Sequence, residues 1–299
     1  LGALVVIMVA VTAVSVYIGA AAFRSQLADY QAYRAAARAG GLSRVAPSPL
    51  AVLTLLRGAL EYVEIVGAVF AIALGYLAVS RERTSGTRPL VRSRPVTDTQ
   101  LTAGSLLGAV GVIVTLVGLT AVVAVACLGV IGHDWIGAAE ALKLALAYTA
   151  AVVYMTAFYC FGAAVTAKCR VSVNGLMIAL GLWLLVVLIL PQFGDTLDPD
   201  NQVPGGLFSA LALNPAQQLQ IQAHLGIYEQ IRTGLETISF EKHFERFAFA
   251  MIDIKGNRRG FTILHLLGIT RTDLGWIAFY AAALVGALKR TFRHQPTTS

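Results

Sequence analysis

The sequence predicts an all-α polytopic membrane protein with six transmembrane helices and an extracytoplasmic insertion between the fifth and the sixth. Of its 299 residues, 57% are hydrophobic and 13% are charged, whereas about 25% are charged in a typical soluble domain. The mean hydropathy is +0.71. The apolar runs are unbroken, whereas the strands of a membrane barrel would alternate apolar and polar residues. These observations exclude a soluble enzyme, a disordered chain and a disulfide scaffold.

Each apolar run is a candidate span, because about 20 apolar residues cross the hydrocarbon core as a helix. A polar loop, a tight turn or a proline separates the runs. The first run starts at Leu1, so we expect a further N-terminal stretch before it. The spans are predicted at residues 1–23, 63–79, 102–131, 138–166, 173–190 and 273–288.

The segments between the spans give the domain organisation. Residues 1–191 hold the first five helices, residues 192–272 form the extracytoplasmic region, and residues 273–299 hold the sixth helix and a tail. After Pro47 and Pro49, residues 50–60 are predicted to form a short amphipathic helix, because proline is favoured at a helix start. A second amphipathic helix is predicted at 216–237 in the extracytoplasmic region.

The basic residues of the short loops predict the orientation. Loop 80–100 carries five arginines, loop 167–172 carries Lys168 and Arg170, and the tail is basic. All three lie on one side of a six-span protein, so the positive-inside rule makes that side cytoplasmic. Residues 24–60 also hold five arginines yet fall outside, which requires that this structured segment is translocated despite its charge. We predict a multi-pass protein of the plasma membrane.

Loop 80–100 has an informative residue order. Glu82 is followed by Gly86-Thr87, by Leu90 and by Ser93-Arg94-Pro95-Val96-Thr97. This order resembles the loop between the second and third spans of type-2 ABC transporter permeases, which has Glu, then Gly-Thr, a leucine-rich stretch and Ser-x-Pro-Val-Ser. The match is incomplete, because Arg88-Pro89 and Arg92 stand where the family has leucines. On composition alone, the competing interpretation is a solvated loop that only fixes topology.

The resemblance implies the permease subunit of an ABC exporter, which is a transport subunit and not an enzyme. This sequence contains no phosphate-binding G-x-x-x-x-G-K-[ST] motif, so ATP and Mg²⁺ would be bound by a separate ATPase subunit, and no cofactor by this chain. Two permease chains, identical or related, would form the working unit. The coupling loop would contact the ATPase through Glu82, Gly86, Thr87, Leu90, Arg92, Arg94, Pro95 and Val96.

Four residues in or near the spans are weaker candidates for a substrate pathway. Glu61 and Glu64 lie one turn apart at the predicted start of the second span, and carboxylates at a membrane boundary are often functional. An interfacial or capping role is the alternative. Thr149 and Tyr154 in the fourth span could line a pathway, or bond to their own backbone.

Three glycines of the third span have a spacing typical of helix packing. Gly104, Gly108 and Gly111 lie on or near one face, and G-x-x-x-G spacing lets helices approach closely. We predict a packing role for them.

The polar residues predict neither a metal site nor a catalytic centre. His224, His243 and His265 lack the spacing of paired metal ligands, and no nucleophile–base arrangement is evident. Two other functions stay open: an ATP-independent secondary transporter or channel, and a membrane scaffold that docks an extracytoplasmic partner protein. No feature indicates nucleic-acid binding.

Overall fold

A computed structural model describes residues 2–40, 53, 56–84, 97–132, 136–190, 217, 220, 226–253 and 261–293, and all regular structure within these ranges is helical. The helices are α1 (Gly2–Ala39), α2 (Arg57–Tyr62), α3 (Ala68–Thr84), α4 (Asp98–Gly132), α5 (Ala138–Lys168), α6 (Ser172–Trp183), α7 (Gly226–Ile238), α8 (Phe240–Ile252), α9 (Ile263–Ile269) and α10 (Arg271–Arg293). A π-helical turn, Val63–Gly67, joins α2 to α3, and a second one, Leu184–Ile189, extends α6.

Four of these helical segments are long and apolar enough to cross a membrane: Arg57–Thr84, Thr99–Ala126, Ala138–Lys168 and Ser172–Ile189. They correspond to the second to fifth predicted spans. The first predicted span lies within α1, which contains the shorter apolar stretch Val9–Gly19 and is not one of the four. The sixth lies within α10, which is not one of the four. The all-helical membrane class is therefore confirmed, and the count of six spans stays a prediction.

Two predicted helix boundaries differ from the structure. Helix α1 continues beyond residue 23 to Ala39, so part of the polar segment 24–60 is helical. The short helix predicted at 50–60 is not separated from the second span in the described residues. Its last residues belong to α2, which continues through the π-helical turn into α3 as one helical segment, Arg57–Thr84. The reason lies in the sequence, since no proline occurs between Pro49 and Pro89 to interrupt the backbone hydrogen bonds.

The most extensive contact in the bundle joins α3 to α5. Two glycines allow it: a methyl group at Gly162 would lie 2.6 Å from the Ile72 carbonyl oxygen, and one at Gly75 would lie 2.6 Å from the Ala163 nitrogen. These contacts leave no room for a side chain. In lipid, where apolar burial does not drive helices together, such close backbone packing is a main source of association.

Helix α8, part of the predicted extracytoplasmic region, packs directly against α5 and α10. Its aromatic face meets α5, where Phe244 stacks on Tyr154 with ring centroids 4.6 Å apart. Ser239 caps the helix start by accepting a hydrogen bond from the Lys242 amide, and Asp253 ends the helix in the left-handed conformation. The described part of this region is thus attached to the bundle. The predicted domain limits 1–191, 192–272 and 273–299 stay predictions.

A polar network joins α8 to α10. The imidazole of His243 is buried between two oxygen atoms: Nδ1 lies 2.8 Å from Asp273 Oδ1, and Nε2 lies 3.0 Å from the Thr237 carbonyl oxygen. Arg246 bridges Asp273 and Glu236 at 3.3 and 3.2 Å. The network fixes the start of α10 against α8, because Asp273, which contacts both His243 and Arg246, lies in the first turn of α10.

Candidate functional site

The two polar connections of the predicted coupling side lie at the same end of the bundle. Helix α3 ends at Thr84 and α4 begins at Asp98, while α5 ends at Lys168 and α6 begins at Ser172. The hydrogen bonds described next join the end of α3 to the turn between α5 and α6. We call this region the basic end, defined by Arg81, Arg83, Lys168 and Arg170.

Arg83 ties the two connections together. Its Nη1 donates to the Cys169 carbonyl oxygen at 2.8 Å and to Ser172 Oγ at 3.2 Å, and its Nη2 donates to the Ala167 carbonyl oxygen at 2.9 Å. Carbonyls in the last turn of a helix lack partners within the helix and carry partial negative charge. The guanidinium donates hydrogen bonds to these carbonyls and its positive charge offsets their partial negative charge. It therefore attaches the end of α3 to the turn between α5 and α6.

The other side of the loop is held by a reciprocal cap. The Thr97 amide donates to Gln100 Oε1 at 2.9 Å, and the Gln100 amide donates to Thr97 Oγ1 at 3.3 Å. This arrangement is a capping box, and it fixes where α4 begins. Connection 85–96 therefore leaves one anchored helix end and enters another.

Sequence reasoning missed both anchors. The signal for the cap was present, because Thr97-Asp98-Thr99-Gln100 has the [ST]-x-x-[EQ] pattern of a helix start. Arg83 had no comparable signal, since its partners lie more than 80 positions away in the sequence.

Most of the predicted coupling residues lie outside the described part of the chain. Glu82 is described: it is half-buried in the last turn of α3, next to Arg83. The others lie in the connection between α3 and α4, for which the contact with an ATPase stays a prediction. They are Gly86, Thr87, Leu90, Arg92, Arg94, Pro95 and Val96.

Glu61 and Glu64 have different environments in the structure, although both lie at the predicted start of the second span, and their place on a substrate pathway stays a prediction. Glu61 is partly exposed and pairs with Arg57 at 2.6 Å. Glu64 is only 5% exposed and faces α8. The π-helical turn begins between them. Because such a turn changes the backbone bonding pattern, residues one turn apart in the sequence are directed differently from those of a regular helix.

Glu64 belongs to a carboxyl cluster with Glu241, which is also buried, and Glu245, which is partly exposed; one oxygen of each side chain lies within 4.8 Å of the others. Burial raises the pKa of the Glu241 carboxyl, while hydrogen bonds with Glu64 and Ser239 and the charge of Lys242 oppose the rise. Lys242 pairs with Glu245 at 2.8 Å. Such a group can share a proton or coordinate a small cation. The sequence analysis did not identify this cluster, because α2–α3 and α8 are far apart in the chain. The absence of a metal site stays a prediction.

The other two pathway candidates have packing and backbone contacts. The Thr149 hydroxyl donates to the Ala145 carbonyl oxygen at 2.7 Å, one turn back in its own helix. Tyr154 is fully buried. Its ring contacts Phe240 and Phe244, and its hydroxyl donates to the Glu64 carbonyl oxygen at 3.2 Å. Tyr154 therefore lies inside a packed aromatic cluster, and a place on a substrate pathway stays a prediction for both residues.

The predicted packing glycines of α4 face open space. Methyl groups built on Gly104, Gly108 and Gly111 meet no atom within 4 Å in the described part of the chain. Close helix packing occurs instead at Gly75 and Gly162. The packing role of the α4 glycines thus stays a prediction, and within this single chain Gly104 and Gly108 border a groove.

Comparison with known proteins bears on the whole chain. The family model described as "ABC-2 family transporter protein" matches residues 1–286. The match covers helices α1 to α9 completely and α10 except for its last seven residues. No curated protein matches the chain. The family match agrees with the resemblance that the order of residues in loop 80–100 indicated.

Proposed function

Because the chain belongs to the ABC-2 transporter family, we propose that it is the permease subunit of an ABC exporter and that it works with a separate ATPase subunit. The chain is a multi-pass membrane protein of transport function, not a catalytic one. In the proposal, ATP and Mg²⁺ bind to the ATPase, and two permease chains, identical or related, form the pathway.

The observation that carries the proposal is the anchoring of connection 85–96. A coupling loop can transmit force only if its ends are fixed to the spans that must move. Here one end follows Arg83, which is bonded to the α5–α6 turn, and the other end enters the Thr97–Gln100 cap. A displacement of the loop by an ATPase would therefore act on α3, α4, α5 and α6 together.

The mechanism follows from these attachments. ATP-driven closure of two ATPase subunits would move the loops that they hold, and each loop would tilt its bundle as a rigid body. Arg92 and Arg94 would meet acidic groups of the ATPase, and Leu90 and Val96 would supply apolar contact. The basic end would face the cytoplasm of a plasma membrane, as the arginines of loop 80–100 favour.

The test is affinity purification of the tagged chain in mild detergent, followed by mass spectrometry and an ATPase assay on the eluate. We expect a stoichiometric subunit that carries a phosphate-binding loop, and hydrolysis that vanadate inhibits. The combined change Arg92→Glu and Arg94→Glu should remove that subunit from the eluate. Arg34→Glu with Arg38→Glu is the matched control, because these arginines are exposed on α1 in the segment predicted to be outside.

Two results would overturn the proposal. One is a folded chain that elutes alone, without hydrolysis. The other is an equal loss of the ATPase from both charge-reversal variants, since the effect would then depend on net charge and not on the loop.

A second candidate, an ion-coupled carrier without an ATPase, is favoured by one observation: the Glu64–Glu241–Glu245 cluster. Intramembrane carboxyl groups often mark proton or cation pathways. Glu64→Gln would abolish gradient-driven uptake in proteoliposomes if the chain were such a carrier. It would leave ATP-dependent transport intact if the cluster only joins α8 to the bundle.

A further inference from the structure

A groove on the surface of the bundle lies between α3 and α4 at the basic end. Its volume is about 270 Å³. The α3 side is lined by Leu74, Leu77, Ala78 and Arg81, the α4 side by Gly104, Ser105, Gly108, Ala109 and Val112, and Tyr159 of α5 also lines it.

The groove is mostly apolar. The hydroxyls of Ser105 and Tyr159 are hydrogen-bonded to each other at 2.6 Å, so they are already satisfied. The remaining wall is aliphatic or backbone, because Gly104 and Gly108 contribute no side chain. Arg81 is exposed and is the charged residue of the lining. An occupant should therefore have an apolar body and an anionic end.

The depth of Arg81 matches the level of phospholipid headgroups. The segment Arg57–Thr84 has 28 residues and is about 42 Å long, about 12 Å more than the hydrocarbon core. With the core centred on the helix, about 6 Å extends beyond each boundary. Arg81 lies about 4.5 Å from the end and Leu74 about 15 Å from it. The groove thus runs from the headgroup level about 10 Å into the hydrocarbon.

The size and lining of the groove suit a slim apolar occupant, since its volume is about 270 Å³ and its wall is mostly aliphatic side chains and backbone. One acyl chain is slim enough to enter. We propose that the groove binds an anionic phospholipid of the adjacent leaflet, with an acyl chain along Gly104 and Gly108 and the phosphate at the Arg81 guanidinium.

The test is lipid retention by the full chain, measured by native mass spectrometry after delipidation and titration with phosphatidylglycerol or phosphatidylcholine. We expect the unaltered chain to retain about one phosphatidylglycerol. Gly108→Leu should lower this retention at least about ten-fold by filling the groove. Gly118→Leu is its matched control, since Gly118 is also exposed on α4 with no atom near its Cβ position, but does not line the groove.

The charge is tested separately. Arg81→Gln should weaken phosphatidylglycerol retention about five-fold, as expected for one basic residue near an anionic headgroup, and should barely change that of phosphatidylcholine. Arg170→Gln, an exposed arginine at the same end, should have no effect. The proposal is overturned if Gly108→Leu retains as much lipid as Gly118→Leu. It is also overturned if Gly108→Leu dissociates a dimer without changing lipid retention, because the face would then belong to a second copy. Neither readout depends on the proposed ATPase.

Discussion

Replacement of Arg83 tests the anchoring of the coupling loop most directly. A hydrogen bond to a charged group contributes about 1.5–3 kcal/mol, and the guanidinium makes three. The contributions are not additive, and the side chain is half-buried, so water replaces part of what is lost. We therefore expect Arg83→Ala to lower the free energy of unfolding by about 2–4 kcal/mol. Arg83→Lys should cost about half of that, because it keeps the charge at the helix end but loses the bidentate fork.

The assay is unfolding of the purified chain with increasing SDS in mixed micelles, followed by tryptophan fluorescence. Arg170→Ala is the control, because Arg170 lies at the same end and is exposed. A second readout is the stimulation of ATP hydrolysis by the permease. In Arg83→Lys this stimulation should fall by more than the decrease in the folded fraction of the chain accounts for. Equal stability of Arg83→Ala and Arg170→Ala would refute the reasoning.

Three further predictions concern packing and charge. Gly162→Ala should destabilise the bundle by about 1–3 kcal/mol, because the added methyl would lie 2.6 Å from a carbonyl oxygen of α3. Gly111→Ala is the control and should not destabilise the bundle, since Gly111 faces open space. Equal unfolding curves for the two variants would contradict this prediction. Burial raises the pKa of Glu241 above its ordinary 4.5, so above pH 4.5 the native state holds more protons than the unfolded state and stability falls as pH rises. Glu241→Gln should flatten that decline in unfolding measurements between pH 4 and 8, and an unchanged slope would exclude this carboxyl as its source. Asp273→Asn should destabilise the α8–α10 contact, and a double-mutant cycle with His243→Ala should give a coupling energy of about 1–3 kcal/mol; additive effects would show that the pair does not interact.

The sequence was most informative where the signal is local. The predicted spans 138–166 and 173–190 agree closely with the helical segments Ala138–Lys168 and Ser172–Ile189, because an apolar run must form its backbone hydrogen bonds internally in lipid. Loop 80–100 likewise showed the family through the order of its residues, and the family match confirmed it.

The sequence was least informative where a contact joins distant segments. Glu64 was predicted from its position at a span boundary as a pathway candidate, with an interfacial role as the alternative, yet its environment is set by Glu241 of α8. Arg83 was indistinguishable from the other loop arginines until its acceptors on the α5–α6 turn were known. The packing prediction for Gly104 followed a general spacing rule, whereas the glycines in close contact, such as Gly75, depend on which helices face each other.

The π-helical turn at Val63–Gly67 has a consequence for how this gene can change. A π-helical turn within a helix corresponds to about one inserted amino acid. Because the π-helical turn absorbs the extra residue, a deletion of one codon in this stretch would restore a regular helix and leave residues 57–62 on nearly the same faces against α3. Ala59 and Leu60 would then stay buried in the bundle. A further insertion of one codon would instead rotate residues 57–62 by about 100° and shift them by about 1.5 Å, so we expect this stretch to tolerate a single-codon deletion far better than a single-codon insertion.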